Sequence, residues 1–276
     1  MSEELATIPE ELQEEARGKP DEDPHILHVR RLSKRFGGLS AVEDVSFDVG
    51  RGEIFALIGP NGAGKTTLFN CVTGLFPPTD GSIIFDSRDI TGLKPHTVAK
   101  LGIARTFQNI RLFDFMTVID NVLVGEHGRL RAQVWDAVFK TPLERREEVK
   151  AREQAMELLA FVGIQRHAEN YARNLPYGLQ RRLEIARALG TAPRLLLLDE
   201  PAAGFTPQEK SELMALVQKI RAQGITVFLI EHDMRVVMGV SERIVVLDHG
   251  EKIAEGTPEQ VRSNQRVIEA YLGKSA

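Results

Sequence analysis

The segment Gly59-Pro60-Asn61-Gly62-Ala63-Gly64-Lys65-Thr66, which follows directly on the apolar run Ile54–Ile58, restricts this chain more than any other. Its spacing is a glycine, four residues, then Gly-Lys-Thr, the pattern of a loop that cradles phosphate groups. Glycines let successive backbone N–H groups point inward with no Cβ obstructing them. Thr67–Thr73 predicts a helix, whose N-terminus adds its positive dipole end to the cradle. Lys65 is placed to neutralise the outer phosphates, the Thr66 hydroxyl to hold Mg²⁺, and Thr67 to extend the phosphate contacts. A strand feeding such a loop and helix opens an α/β fold.

Two rhythms surround this motif. Ile26–Arg31, Val45–Val49, Glu53–Ile58 and Gly81–Asp86 read as short strands with tight turns, which predicts an antiparallel sheet near the N-terminus. Further on, Leu195–Leu198, Thr226–Ile230 and Ile244–Leu247 are continuous apolar runs separated by helical stretches such as Gln208–Gln223. Strands of that kind are buried on both faces and suit a parallel core. Residues 110–175 read as a mainly helical insert, with Val149, Met156, Leu159 and Val162 at helical spacing.

Two strand ends carry titratable groups. Leu195–Leu198 leads into Asp199 and Glu200, at the carboxyl edge where ligands bind in open α/β sheets. Asp199 is the candidate for orienting a metal ion, and Glu200 for polarising a water aimed at phosphorus. The run Phe228-Leu229-Ile230-Glu231-His232-Asp233 delivers His232 to the next strand end, a second candidate for a phosphate contact.

Composition narrows the class. With 276 residues, 42% of them hydrophobic, the chain has material for a sizeable core. Cys71 is its single cysteine, so no internal disulfide forms; a buried, space-filling thiol is expected there. Residues 1–25 hold nine acidic side chains against Arg17 and Lys19, and read as a disordered or partly helical solvated extension. Residues 26–276 carry 33 basic and 30 acidic side chains, too even a balance for nucleic-acid attraction. No apolar run approaches the length of a membrane-crossing helix, and the acidic N-terminus does not read as a signal peptide.

Seven short motifs in order over residues 26–273 resemble the nucleotide-binding subunit of an ATP-binding-cassette (ABC) transporter. The resemblance implies a P-loop NTPase with a parallel-sheet core, an N-terminal antiparallel β subdomain and a helical subdomain at about 110–175. It implies ATP and Mg²⁺ as ligands, Phe36 as a platform for adenine, and Gln108 (in Arg105-Thr106-Phe107-Gln108) as a sensor of metal and water. Lys65, Gln108, Glu200 and His232 then form the catalytic set, and Thr66, Gln108 and Asp199 the metal set. The signature segment is Leu175-Pro176-Tyr177-Gly178-Leu179-Gln180-Arg181-Arg182, through which Tyr177 and Gly178 meet the nucleotide of a facing subunit.

Two segments depart from the family's usual pattern. In the signature, Pro176 stands where a serine is usual and Tyr177 where the first glycine is, and Thr206 stands where an aspartate organises the dimer seam; these put the hydrolysis rate and the coupling of the two sites in question. "NLPYGLQRRLEIARAL", "EPAAGFTPQE", "ARTFQNIRLF" and the ending "EGTPEQVRSNQRVIEAYLG" are similar to the ATPases of branched-chain amino acid importers, as is a long insert at about 125–150 holding Trp135. The resemblance implies a homodimer, or a heterodimer with a sister ATPase, on the inner face of the plasma membrane. Its partners are then transmembrane permease subunits and a periplasmic or extracellular solute-binding protein. The alternative reading keeps the fold and changes the cargo to that of a lipid or lipopolysaccharide exporter. Phe113, Phe115 and Met116 offer an apolar groove for a permease helix or, equally, ordinary core packing.

Overall fold

A computed structural model describes residues 7–17, 23–127 and 142–272. The rest of the head, the insert around Trp135 and residue 273 lie outside the described residues. Two compact units emerge, one of Lys19–Gln108 with Arg194–Ala276, the other of Asn109–Pro193 with Met1–Gly18.

In the larger unit, β1 (His25–Phe36) and β2 (Leu39–Gly50) form a long antiparallel hairpin that runs from His25 opposite Gly50 to Phe36 opposite Leu39, with register shifts between. Its turn uses Gly37 at φ 58°, a left-handed conformation that costs glycine little. β4 (Asp80–Phe85) and β5 (Arg88–Asp89) complete a sheet of order β2-β1-β4-β5. The strand β3 (Ile54–Ile58), expected with this antiparallel set, does not join it. All five of its residues are buried, and a strand without a polar face belongs inside a parallel sheet.

That sheet has the order β10-β9-β3-β8-β7-β6. It contains the expected β7 (Leu195–Asp199), β8 (Thr226–Ile230) and β9 (Arg243–Asp248), all parallel to their neighbours around β3. β6 (Ile103–Arg105) adds a parallel edge and β10 (Glu251–Gly256) an antiparallel one. The helices α2 (Lys65–Val72) and α3 (Pro95–Lys100) follow β3 and β5. Rings lock the two sheets to α2: Phe47 stacks on Phe55 at 5.3 Å, while Phe228 meets Phe55 at 5.1 Å and Phe69 at 4.7 Å. Each such buried ring contributes about 1.5–3 kcal/mol through area removed from water. Cys71 is buried on α2, which pushes its thiol up to about 11 and leaves it a space-filler.

The smaller unit is helical, with α4 (Val118–His127), α5 (Pro142–Phe161) and α6 (Tyr177–Leu189). It reaches Pro193, beyond the expected limit at 175, so α6 belongs to it. Its close approaches explain why: a Cβ on Gly125 of α4 would meet the Arg187 carbonyl of α6 at 2.2 Å. The buried face of α5 also differs from expectation. Val149 and Met156 are exposed, whereas Ala151, Ala155 and Leu158 are buried with Leu159 and Val162. Small alanines make that stripe, and hydrophobicity alone underrates them.

The head is not wholly solvated. Glu10–Arg17 forms α1, and Ile8 and Leu12 are each about 1% exposed. Glu11 pairs with Lys150 at 2.6 Å and accepts from Gln154 at 2.9 Å. Two apolar residues four apart form a stripe inside a run of acids, and the charge masks it in the sequence.

Candidate functional site

β3 delivers the chain into the glycine-rich loop, where the glycines have distinct tasks. A Cβ on Gly59 would meet the Leu247 carbonyl oxygen at 2.1 Å, and one on Gly64 the Ala41 oxygen at 2.3 Å. Gly62, at φ 81°, has nothing within 4 Å and is needed for the backbone turn alone. The loop is thus pressed between β2 and the end of β9, with the Gly250 N–H donating to the Ala63 carbonyl at 3.2 Å. Gly64 caps α2 without a side-chain bond, so no side chain covers the first-turn N–H groups of that helix. Pro60, Asn61, Gly62 and Ala63 form the outer arc; Thr66 is exposed in the first turn of α2, with Thr67 half-buried behind it.

Lys65 is 7% exposed, and its Nζ donates to the carbonyls of Gly59 at 2.8 Å and Pro60 at 2.9 Å. Burial lowers its pKa, and the negative charges of Glu200 and Asp199 partly restore it. The cradle and the acids therefore share one electrostatic environment.

Asp199, at the end of β7, is 2% exposed and accepts from Arg105 at 2.7 Å. Arg105 also donates to Asn70 at 2.7 Å and Thr73 at 3.2 Å, which ties α2, β6 and β7 together. Glu200 adopts φ 46°, unusual for a residue with a Cβ, and its N–H donates to the Ile230 carbonyl at 2.9 Å. That turn presents its carboxylate to two other members of the expected catalytic set. The Gln108 amide donates to Glu200 Oε2 at 2.9 Å, and His232 Nδ1 lies 3.6 Å from the same oxygen.

Behind His232, the fully buried Glu231 accepts from the backbone N–H groups of Ala202 at 2.8 Å, His232 at 3.0 Å and Asp233 at 3.3 Å. Burial raises its pKa against those three bonds, which lower it. One carboxylate so fastens the segment after Glu200 to the segment carrying His232. Sequence reasoning assigned no role to Arg105 or Glu231. Their only signal is position, one at the end of β6 beside β7 and one directly after the apolar run of β8.

Phe36 is 43% exposed at the end of β1, edge-on to Phe76 at 5.3 Å and under Lys34 Nζ at 5.0 Å. Tyr177 and Gly178 belong to the smaller unit, in the first turn of α6. Pro176 caps that helix with no side-chain bond, and its carbonyl accepts from the N–H groups of Leu179 at 2.9 Å and Gln180 at 3.0 Å. Thr206 caps α7 (Pro207–Ala222), accepting from the Glu209 N–H while the Glu209 carboxylate accepts from the Thr206 N–H. The threonine therefore has a local task at the position where an aspartate is usual.

A family model described as "ABC transporter" matches residues 42–203. The chain belongs to the ABC transporter ATP-binding family. A second model, "Branched-chain amino acid ATP-binding cassette transporter", matches residues 251–276. This ABC ATPase is 50% identical over 251 residues to the high-affinity branched-chain amino acid transport ATP-binding protein BraF of Pseudomonas aeruginosa, covering 91% of this chain and 98% of the relative. It is 49% identical, with the same coverage, to LivG of Escherichia coli. Among solved structures it resembles a nucleotide-free ATP-binding cassette of an ABC transporter, with TM-score 0.79 and 33% identity over 91% of this chain and 100% of that one. A dimeric post-hydrolysis cassette bound to ADP and Pi matches with TM-score 0.71 and 26% identity, covering 84% of this chain and 98% of that one. The family's chemistry, ATP hydrolysis coupled to transport, is accordingly this ATPase's chemistry. No helix among the described residues is long and apolar enough to cross a membrane.

Proposed function

We propose that this ATPase energises the uptake of branched-chain amino acids through a separate membrane permease, working as one of two cassettes that clamp ATP between them. The observation that carries the catalytic assignment is the meeting of Gln108 and His232 on one oxygen of Glu200, within the charge field felt by Lys65. The names of the relatives favour branched-chain amino acid transport over a lipid or lipopolysaccharide cargo.

In this reading the backbone N–H groups of residues 59–64 and the start of α2 hold the β- and γ-phosphates. Lys65 leaves the carbonyls of Gly59 and Pro60 for the phosphate oxygens, whose negative charge compensates its burial. Phe36 offers its ring to adenine, a contact tolerant of base identity. Glu200 takes the proton of a water as that water's oxygen bonds to the γ-phosphorus; the bond from phosphorus to the bridging oxygen breaks, and ADP leaves. Gln108 and His232 hold the Glu200 carboxylate and orient that water.

The donor set fits a hard cation: the Thr66 hydroxyl, the Asp199 carboxylate and the Gln108 amide oxygen are the oxygen ligands Mg²⁺ prefers. When bound, Mg²⁺ neutralises charge on the phosphates.

Tyr177 and Gly178 meet the γ-phosphate bound by the partner cassette. With Pro176 in place of a hydroxyl donor, the N–H groups and dipole of α6 make that contact. Phe113, 47% exposed, and Phe115, 77% exposed, lie beside Met116 and under the guanidiniums of Arg187 and Arg173. They supply the apolar seat for a permease helix. The subunit so sits on the inner face of the plasma membrane and serves a solute-binding protein outside it.

The test has two arms. Glu200→Gln should keep ATP affinity, trap an ATP-dependent dimer visible by light scattering and slow phosphate release about 10²–10⁴-fold. Hydrolysis at the wild-type rate would remove Glu200 as the base. Proteoliposomes holding the subunit with its permease and binding protein should take up leucine only with internal ATP; absence of uptake would overturn the cargo.

A further inference from the structure

The helices α8 (Met234–Val240), α9 (Pro258–Arg262) and α10 (Gln265–Leu272) of the larger unit line an open cavity of about 520 Å³, well within the size of small-ligand sites. Its lining is aliphatic, with Met234, Met238, Val267 and Ile268 prominent, and methionines adapt readily to an apolar guest. Among the described residues, the charged ones that line it are Arg235 and Arg262, both of them exposed. Neither guanidinium has a hydrogen bond or ion pair among the described residues. The nearest candidate in sequence, Asp233, is taken by Lys210 at 2.6 Å and by the Arg235 N–H at 2.9 Å.

Among the described residues, two cations and no acidic side chain border this apolar floor, which suits an anion with a hydrocarbon tail. We propose that this cavity binds a short aliphatic monocarboxylate, its tail on Met234, Met238, Val267 and Ile268 and its carboxylate on Arg235 and Arg262. A free amino acid fits less well, because no carboxylate among the described lining residues receives its ammonium group.

Titration calorimetry of the full chain without nucleotide tests the site, so its failure is separate from any failure of ATP hydrolysis. The probes are 4-methylpentanoate, the matching alcohol 4-methylpentanol, and L-leucine. The acid should bind with a Kd of about 1 mM, as expected for a ligand of this size, and the alcohol and leucine about tenfold more weakly. Arg235→Gln with Arg262→Gln should weaken the acid about tenfold and leave the alcohol and the melting temperature unchanged. Equal affinity for acid and alcohol, equal affinity of the double variant, or no binding of the acid at about 20 mM, far above that Kd, would overturn the site.

Discussion

The phosphate loop and the acid end of β7 serve one reaction but are held by different means. The loop is fixed by backbone: Gly59 and Gly64 admit carbonyl oxygens from Leu247 and Ala41 that any Cβ would exclude. The acids are fixed by side chains from remote segments, Arg105 on Asp199, Gln108 on Glu200, and Glu231 behind His232. A backbone-built site is rigid whether or not its ligand is present. A side-chain-built site has two states, bonded and released, and so suits the part that must answer to loss of the γ-phosphate.

Lys65 stands between the two and gives the sharpest test. Its ammonium is bonded to the loop's own carbonyls and is shifted by the acids. Lys65→Ala should lower ATP hydrolysis about 10³–10⁵-fold and weaken nucleotide binding as well, whereas Glu200→Gln lowers hydrolysis alone. Phosphate release and fluorescent-nucleotide titration of both variants separate the two. If Lys65→Ala binds ATP normally, the division between a gripping loop and a responding acid end fails.

The same division explains what the sequence made legible. Gly59–Thr66 is readable because a backbone-built site writes its constraint into consecutive residues, and Asp199–Glu200 because a continuous apolar run points to it. The three strands β7, β8 and β9 were readable for that same reason. Arg105 and Glu231 were not, since their partners lie far along the chain and an arginine or glutamate after a strand has many uses. β3 was read as a strand but placed in the wrong sheet, because the tight turn before it resembles a hairpin turn while its uniformly apolar face decides the matter. The limits of the helical unit and the burial of Ile8 and Leu12 were hidden by charge-rich sequence. Its alanine-lined packing face carries little periodic contrast.

The remote supports should be costly to remove even though they touch no phosphate. Arg105→Gln strands a buried carboxylate at Asp199 and removes the bonds to Asn70 and Thr73. A loss of about 3–5 kcal/mol in urea-unfolding free energy is expected, with Asp199→Asn recovering part of it in the double variant. A double variant no more stable than Arg105→Gln alone would mean that packing around Phe69 and Phe107, whose rings lie 5.5 and 5.4 Å from the guanidinium, outweighs the charge.

The gentlest perturbation is Glu231→Gln, which keeps the shape and replaces one accepting oxygen with a donor facing backbone N–H groups. A cost of about 1–3 kcal/mol follows from leaving those donors unmatched. Its pH dependence distinguishes burial from hydrogen bonding. Burial raises the native pKa of Glu231 above its ordinary 4.5. Below that ordinary value the carboxyl is protonated in both folded and unfolded chains, and its contribution to stability is fully present. As pH rises through the raised native value, the unfolded chain ionises freely while the native one must charge a buried group, and the contribution is lost. The stability gap between native protein and Glu231→Gln should therefore narrow as pH rises from about 4 towards 8, read as urea midpoints at each pH. A gap that widens instead would mean that the three accepted N–H bonds outweigh desolvation. His232 would then be held by a carboxylate ionised at every working pH, and the acid end of β7 would be as fixed as the loop.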